Sequence, residues 1–316
     1  MRVQRRGHRW EIRTPAKLNL FLAVGAPRPD GFHELESLLL PIDLCDRLVI
    51  EPTAGPGIEL DLVVPTTTID RQRWDAAWRR VPRDDSNLVV QAARQVQARC
   101  RVKQGCRIKL IKEIPAMAGL GGGSSDAAAA VVGTMAAWNV WDRALATDIC
   151  QQLGSDVPFF LGSPQGVQWA WATGRGEKID VWPIPMPRLQ FCVTALPSGL
   201  ATREVYAAYH PVAQPVDRQA IWTACESGEA AKIGAALRND LQSSARQLHS
   251  GVAFQLALFH DAGIRFALMS GSGTSCFGIL ENERQRTRLH ELAAQHDVIS
   301  YDVSAWRTSS VEDQLQ

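Results

Sequence analysis

Two groups of residues in this 316-residue chain have the types and spacing needed for chemistry, a glycine-serine loop and a pair of lone charges. The loop reads Pro115-Ala116-Met117-Ala118-Gly119-Leu120-Gly121-Gly122-Gly123-Ser124-Ser125-Asp126 and runs into Ala127 to Ala130. Its glycines reach backbone conformations closed to residues with a side chain and let a ligand approach the main chain. The alanines predict a helix, with Ser124 or Ser125 as N-cap and Asp126 in the first turn. A glycine loop feeding a helix N-terminus gathers unpaired N–H groups at the positive end of the helix dipole, which is an anion site. A Walker loop would close with Gly-Lys-Ser/Thr, but Gly123 is followed by Ser124, and a dinucleotide fingerprint would need glycine where Ser124 stands. The preceding strand alternates Cys106, Ile108 and Leu110 with Arg107 and Lys109, unlike a central parallel strand. The loop is a phosphate site of a third kind.

The lone charges are Lys17 and Asp156. Thr14 to Val24 alternates Leu18, Leu20, Leu22 and Val24 with Lys17, Asn19, Phe21 and Ala23, the pattern of a half-buried strand. Period 2 puts Lys17 and Asn19 on one face, about 6.6 Å apart along the strand; an exposed edge would look the same. Asp156 enters the apolar stretch Val157-Pro158-Phe159-Phe160-Leu161, where a carboxylate either caps the next helix or does chemistry. Arg28-Pro29-Asp30-Gly31 is a turn that sets Phe32 and His33 on a loop edge, where stacking on a base is worth about 1–3 kcal/mol. Met269 to Phe277, with Gly271 and Gly273 among small residues, is a hairpin turn or a ligand loop.

The elements around these residues follow from composition and punctuation. With 46% hydrophobic and 21% charged residues the chain is globular and long enough for two domains, and a net charge of +1 gives no electrostatic case for nucleic acid. Seven scattered cysteines, never spaced Cys-x-x-Cys, point to reduced thiols in a cytoplasmic protein rather than to disulfides or zinc. Met1 to Arg13 has no following apolar run, and no stretch is long enough to span a membrane. Leu38 to Glu51 reads as strand-like residues broken by Pro41 and Asp43, and 52–85 as an irregular surface insertion with its arginines on a solvated face. A helix follows Asn87, and another runs from Thr147 to Gly154. The composition changes near Gln165, which places a boundary between 1–166 and 167–316. The second part reads as mixed helices, including one from Ile221 to Leu241, and strands, an α+β layer.

Pro115 to Ala128 resembles the ATP-binding motif of the GHMP kinase superfamily, and its three consecutive glycines resemble the diphosphocytidyl-methylerythritol kinase family within it. Pro15-Ala16-Lys17-Leu18-Asn19-Leu20, Asp30-Gly31-Phe32-His33, Leu153 to Phe160, Gly174-Arg175-Gly176-Glu177 and the 269–277 turn are similar to that family in the same order, so the resemblance spans about Pro15 to Leu280. It implies a two-domain α+β fold, with an N-terminal domain like ribosomal protein S5 domain 2 and a ferredoxin-like C-terminal domain. It also implies phosphorylation of the 2-hydroxyl of the cytidyl acceptor by ATP with Mg²⁺. Lys17 and Asp156 are then catalytic, Asp156 as base, and Pro115 to Ser125 bind ATP together with Gly271 and Gly273. Asn19, Phe32, His33 and Thr202 line the acceptor site. A hydroxyl of the Ser124-Ser125 pair is expected near Mg²⁺, with no metal ligand assigned. Phe32 stands where the family has tyrosine, so a phenol contact is lost. The expected partners are the acceptor and ATP, with the chain a monomer or weak homodimer. Another small-alcohol kinase of homoserine or mevalonate type, and a nucleotide-binding regulator without catalysis, are the alternatives.

Overall fold

The computed structural model describes residues 1–64, 74, 77–166, 168–182, 188–211 and 215–315. Strands β1 (Arg2–Arg6), β2 (Arg9–Pro27), β3 (His33–Thr53), β4 (Ile58–Val63) and β5 (Gly105–Ile111) form one sheet in the order β1-β2-β3-β5-β4. Strands β6 (Ala170–Gly174) and β7 (Lys178–Val181) extend it from β3. β8 (Gln190–Ala195) opens a second sheet, while the short β9 (Arg238–Asn239) runs parallel to β2. The second sheet, in the order β10-β11-β8-β12, is completed by β10 (Ala267–Met269), β11 (Cys276–Leu280) and β12 (Ile299–Ser304), all paired antiparallel.

Helices α1 (Leu88–Arg99), α2 (Gly122–Ala137), α3 (Arg143–Leu153) and α4 (Val157–Leu161) cover one face of the first sheet. α2 is apolar on every side, as a helix enclosed by its neighbours must be, and Ala127 to Val132 are fully buried. The other face meets the second sheet: Leu18, Leu20, Leu38 and Leu40 share a core with Phe191, Val193, Phe277 and Ile279. β2 is therefore buried throughout from Thr14 to Val24 instead of half-buried. Alternation signalled which face was aliphatic, but both faces are covered, so Lys17 is buried rather than at an exposed edge.

The second half holds α5 (Thr202–Ala207), α6 (Arg218–Glu226), α7 (Ala230–Ala235), α8 (Gln242–Leu248), α9 (Ser250–Asp261) and α10 (Glu283–Gln295), with α11 (Val311–Leu315) returning to pack on β1. The layering is α+β, as expected. Three local expectations differ. β3 runs unbroken through Pro41, whose carbonyl is still used by the Trp306 N–H at 2.8 Å. The helix expected over Ile221 to Leu241 is two short helices and a strand, because Gly228, at φ +67°, breaks it and Asn239 joins β2. β6 and β7 lie past the division expected at residue 166, yet they hydrogen-bond into the first sheet. Among the described residues no helix is long and apolar enough to cross a membrane.

Candidate active site

α2 begins earlier than the serines suggested. Gly121, left-handed at φ +72°, occupies the N-cap, and no side chain caps the helix. The first backbone bond runs from Ser125 N–H to Gly121 O at 2.9 Å, which leaves the N–H groups of Gly122, Gly123 and Ser124 for a ligand. A Cβ on Gly121 would stand 2.8 Å from Phe160 Cζ and 3.1 Å from Lys17 Cγ, so only glycine fits there.

Both stems of the glycine loop are tied to the sheet. Lys17 N–H donates to Leu120 O at 3.0 Å. At the incoming stem, Asp46 on β3 accepts from the N–H groups of Glu113 and Ile114 at 2.6 and 2.9 Å. Lys112 donates to Asp46 and, at 2.7 Å, to Asp126 on α2, so one buried ammonium joins both stems. Burial works against the charge on Lys112, but Asp126 and Asp46 outweigh it and hold its pKa above the ordinary value. Burial, and then Asp46, push Asp126 well above the usual carboxylate range. Asp126 is not in the first helical turn, where it was expected; its distant partner Lys112 carried no local signal.

Lys17 makes a looser arrangement. Its ammonium donates to Asn19 and stands 3.9 Å from Asp156, whose side chain is 38% exposed. Desolvation lowers the Lys17 pKa, and Asp156 opposes that shift. Asp156 sits at the start of α4, but its carboxylate makes no capping bond, so the capping alternative does not hold. Asn19 also donates to Ser37 Oγ at 2.8 Å, which fixes its amide.

The 269–277 turn packs on the glycine loop. Ser270 Oγ donates to Gly119 O at 3.1 Å and Ser275 N–H to Ala118 O at 3.0 Å. A Cβ on Gly271 would lie 3.1 Å from Lys17 Nζ, so this turn closes around the lysine. Thr202, at the start of α5, hydrogen-bonds Ser272 at 3.0 Å.

One cavity of about 1140 Å³ is lined by Lys17, Asp156, the loop from Pro115 to Ser124, Thr202 and the Gly271–Gly273 turn, and Phe32, His33 and Asn87 share its wall. Phe32 is 48% exposed. His33 Nδ1 is 2.8 Å from Gly25 O; since a carbonyl only accepts, Nδ1 carries a proton, which leaves Nε2 for a ligand. Ser125 is the exception among the expected site residues. Its hydroxyl is buried against β2, donates to Pro15 O at 2.6 Å and meets Thr14 Oγ1 at 2.5 Å, so it is not part of the cavity wall.

The sequence pattern described as GHMP kinases N terminal domain matches residues 87–163, and that described as GHMP kinases C terminal matches 222–296. A 4-diphosphocytidyl-2-C-methyl-D-erythritol kinase of Pelotomaculum thermopropionicum is 40% identical over 276 residues, 85% of this chain and 90% of that one. The chain belongs to the 4-diphosphocytidyl-2-C-methyl-D-erythritol kinase family. The Bacillus subtilis kinase of that name is 36% identical over 88% of this chain and 90% of its own. A crystal structure of a 4-(cytidine 5'-diphospho)-2C-methyl-D-erythritol kinase superposes with a TM-score of 0.74 at 31% identity, covering 94% of this chain and all of that one. A homoserine kinase from Cytophaga hutchinsonii, at TM-score 0.66 and 16% identity over 97% of both chains, shares the fold.

Against this kinase fold, two cavity residues stand out that the sequence reading did not single out. Tyr206 on α5 faces His33, their ring centroids 5.5 Å apart. Arg175 lies over Phe32 at 4.8 Å. Both come from the second half of the chain, and nothing in the spacing of Phe32 and His33 pointed to them. The stretch expected as an irregular surface insertion at 52–85 is partly built into the fold, since β4 pairs with β5 and Trp74 and Trp78 are buried, and Arg80, assigned to a solvated face, lines the cavity; 65–73 and 75–76 lie outside the described residues.

Proposed function

We infer that this chain transfers the γ-phosphoryl group of ATP to the 2-hydroxyl of 4-diphosphocytidyl-2-C-methyl-D-erythritol, releasing ADP, in non-mevalonate isoprenoid precursor synthesis. The observation that carries the reading is the Lys17 ammonium 3.9 Å from the uncapped Asp156 carboxylate, in a cavity bounded by the glycine loop on one side and by Phe32 and His33 on another.

Phosphoryl transfer passes through a loose transition state, so catalysis is mainly positioning and charge stabilisation. The free N–H groups of Gly122, Gly123 and Ser124 hold the ATP phosphates, with Pro115 to Leu120 shaping the loop and Gly271 and Gly273 closing it. Asp156 accepts the proton of the attacking hydroxyl. Lys17, 3.9 Å from that carboxylate, steadies the developing charge. Asn19, fixed by Ser37, orients Lys17, and Thr202 ties α5 to the glycine turn beside the acceptor. Phe32 stacks the cytosine, and His33 Nε2 accepts from its amino group.

Mg²⁺ prefers hard oxygen donors and keeps several waters. Ser124, in the cavity wall, offers a hydroxyl of that kind, whereas the hydroxyl of Ser125 is engaged by Pro15 and Thr14. When bound, Mg²⁺ neutralises charge on the ATP phosphates.

We further propose that residues 1–166 bind ATP and 167–316 complete the acceptor site, with β6 and β7 structurally part of the first sheet. A cytoplasmic setting fits the seven free cysteines, and we place the enzyme there as a monomer or weak homodimer. The test is ADP release with Mg-ATP and three acceptors: the cytidyl substrate, homoserine and mevalonate. Turnover on the cytidyl substrate alone is expected. Turnover on another alcohol would overturn the reading of Phe32 and His33, and no turnover on any would leave a nucleotide-binding regulator.

A further inference from the structure

Arg175 occupies the tight turn between β6 and β7. Its backbone N–H is held by Glu177 Oε2 at 2.6 Å. The guanidinium lies over the Phe32 ring, 4.8 Å from its centroid. The next residue, Gly176, faces the other end of the site: a Cβ there would stand 3.6 Å from Asp156 Oδ1. Arg175 thus sits in the cavity wall between the aromatic edge and the carboxylate. Among the described residues its guanidinium has no carboxylate partner and makes no hydrogen bond, only the ring contact. A cation facing a cavity without an acid to neutralise it is suited to an anionic ligand.

The acceptor inferred above has three parts in series: a cytosine nucleoside, a diphosphate and a branched tetrol. With cytosine on Phe32 and the reacting hydroxyl at Asp156, the diphosphate must cross the wall between them, where Arg175 stands. We propose that Arg175 is a specificity-determining residue that grips the diphosphate of the acceptor, with Phe32 serving both as the base platform and as the support that aims the guanidinium. The inference rests on the acceptor reading given under Proposed function. A planar guanidinium pre-stacked on a ring presents its N–H fork to two phosphate oxygens with little further ordering, which a lysine does not reproduce. It also explains how a chain with phenylalanine in place of the family's tyrosine keeps a polar contact at this point of the site.

The experiment compares CDP with cytidine as probes by titration calorimetry, on wild type, Arg175→Ala and Arg175→Lys, with thermal melts to establish that each variant is folded. Wild type is expected to bind CDP more tightly than cytidine, and the difference to shrink as salt is raised. Arg175→Ala weakens CDP about ten-fold and leaves cytidine within about two-fold, while Arg175→Lys restores only part of the loss. KM for the cytidyl acceptor rises in parallel in Arg175→Ala, with KM for ATP unchanged. A CDP-to-cytidine ratio that is the same in wild type and in a folded Arg175→Ala overturns the assignment while leaving the kinase reading intact. Wild type that binds neither probe and releases no ADP with the cytidyl acceptor overturns the acceptor reading itself, and the role of Arg175 with it.

Discussion

Lys17 and Lys112 are both buried, both lie in the wall of the same cavity, and both face carboxylates, yet their surroundings set them apart. Lys112 is enclosed by Asp46 and Asp126, and its pKa is raised. Lys17 has an amide beside it and one carboxylate 3.9 Å away that is open to solvent, and its pKa is lowered. A charge held between two carboxylates is structural: it joins the two stems of the glycine loop. An under-neutralised charge beside an uncommitted carboxylate is a place where a polyanion and a hydroxyl can be brought together. The difference lies in the partners, since the sequence shows only two lysines next to strand residues.

The comparison can be broken at several points. Asp156→Asn keeps the shape of the side chain and makes no change to a cap bond, because there is none. It is expected to lower kcat by about 10²–10⁴ with an unchanged melting curve, the range for a general base; near-normal steady-state turnover would remove Asp156 from the chemistry. Gly121→Ala forces a side chain into a left-handed residue and against Phe160 and Lys17. Its strain costs about 1–3 kcal/mol, and KM for ATP should rise more than KM for the acceptor; equal effects on both would mean that the loop does not serve the nucleotide in particular.

The smallest effect concerns pH. Burial lowers the Lys17 pKa below its ordinary value of 10.5, so the folded state releases this proton before the unfolded state does. Between the folded and unfolded values the unfolded chain binds more protons, so the stability contributed by this group rises with pH in that window. In the role proposed for Lys17 the charged form is the useful one, so activity moves the other way. The alkaline limb of kcat is therefore expected below the ordinary lysine value of 10.5, and a pH–rate profile with no limb below that value would contradict it.

Much of this site was legible because its groups are local in sequence. The glycine loop, its helix and the Phe32-His33 edge announce themselves by glycine spacing and turn chemistry. The second covering of β2 was not legible, since a strand does not reveal how many layers enclose it, and Lys17 looked equally like an edge residue. Asp126 was read as a first-turn acid because local rules favour one there, while its actual partner comes from the end of β5 and is shared with Asp46 on β3. The helix over Ile221 to Leu241 failed at Gly228, a breaker that the surrounding alanines and leucines masked. Tyr206 and Arg175 reach the cavity only through the packing of one half of the chain on the other, which no spacing encodes.

The most direct test sets the two lysines side by side: kcat and unfolding free energy for Lys17→Met and Lys112→Met, with the wild type as reference. Lys17→Met is expected to lose about 10²–10³ in kcat, as when a charge-stabilising group is removed, while its stability holds or rises. Lys112→Met leaves two buried carboxylates without their cation and is expected to lose about 3–5 kcal/mol of stability, with the kcat of the folded fraction far less affected than in Lys17→Met. The reverse pattern, with Lys17→Met unstable but active and Lys112→Met stable but inert, would contradict the assignment of chemistry to Lys17 and Asp156.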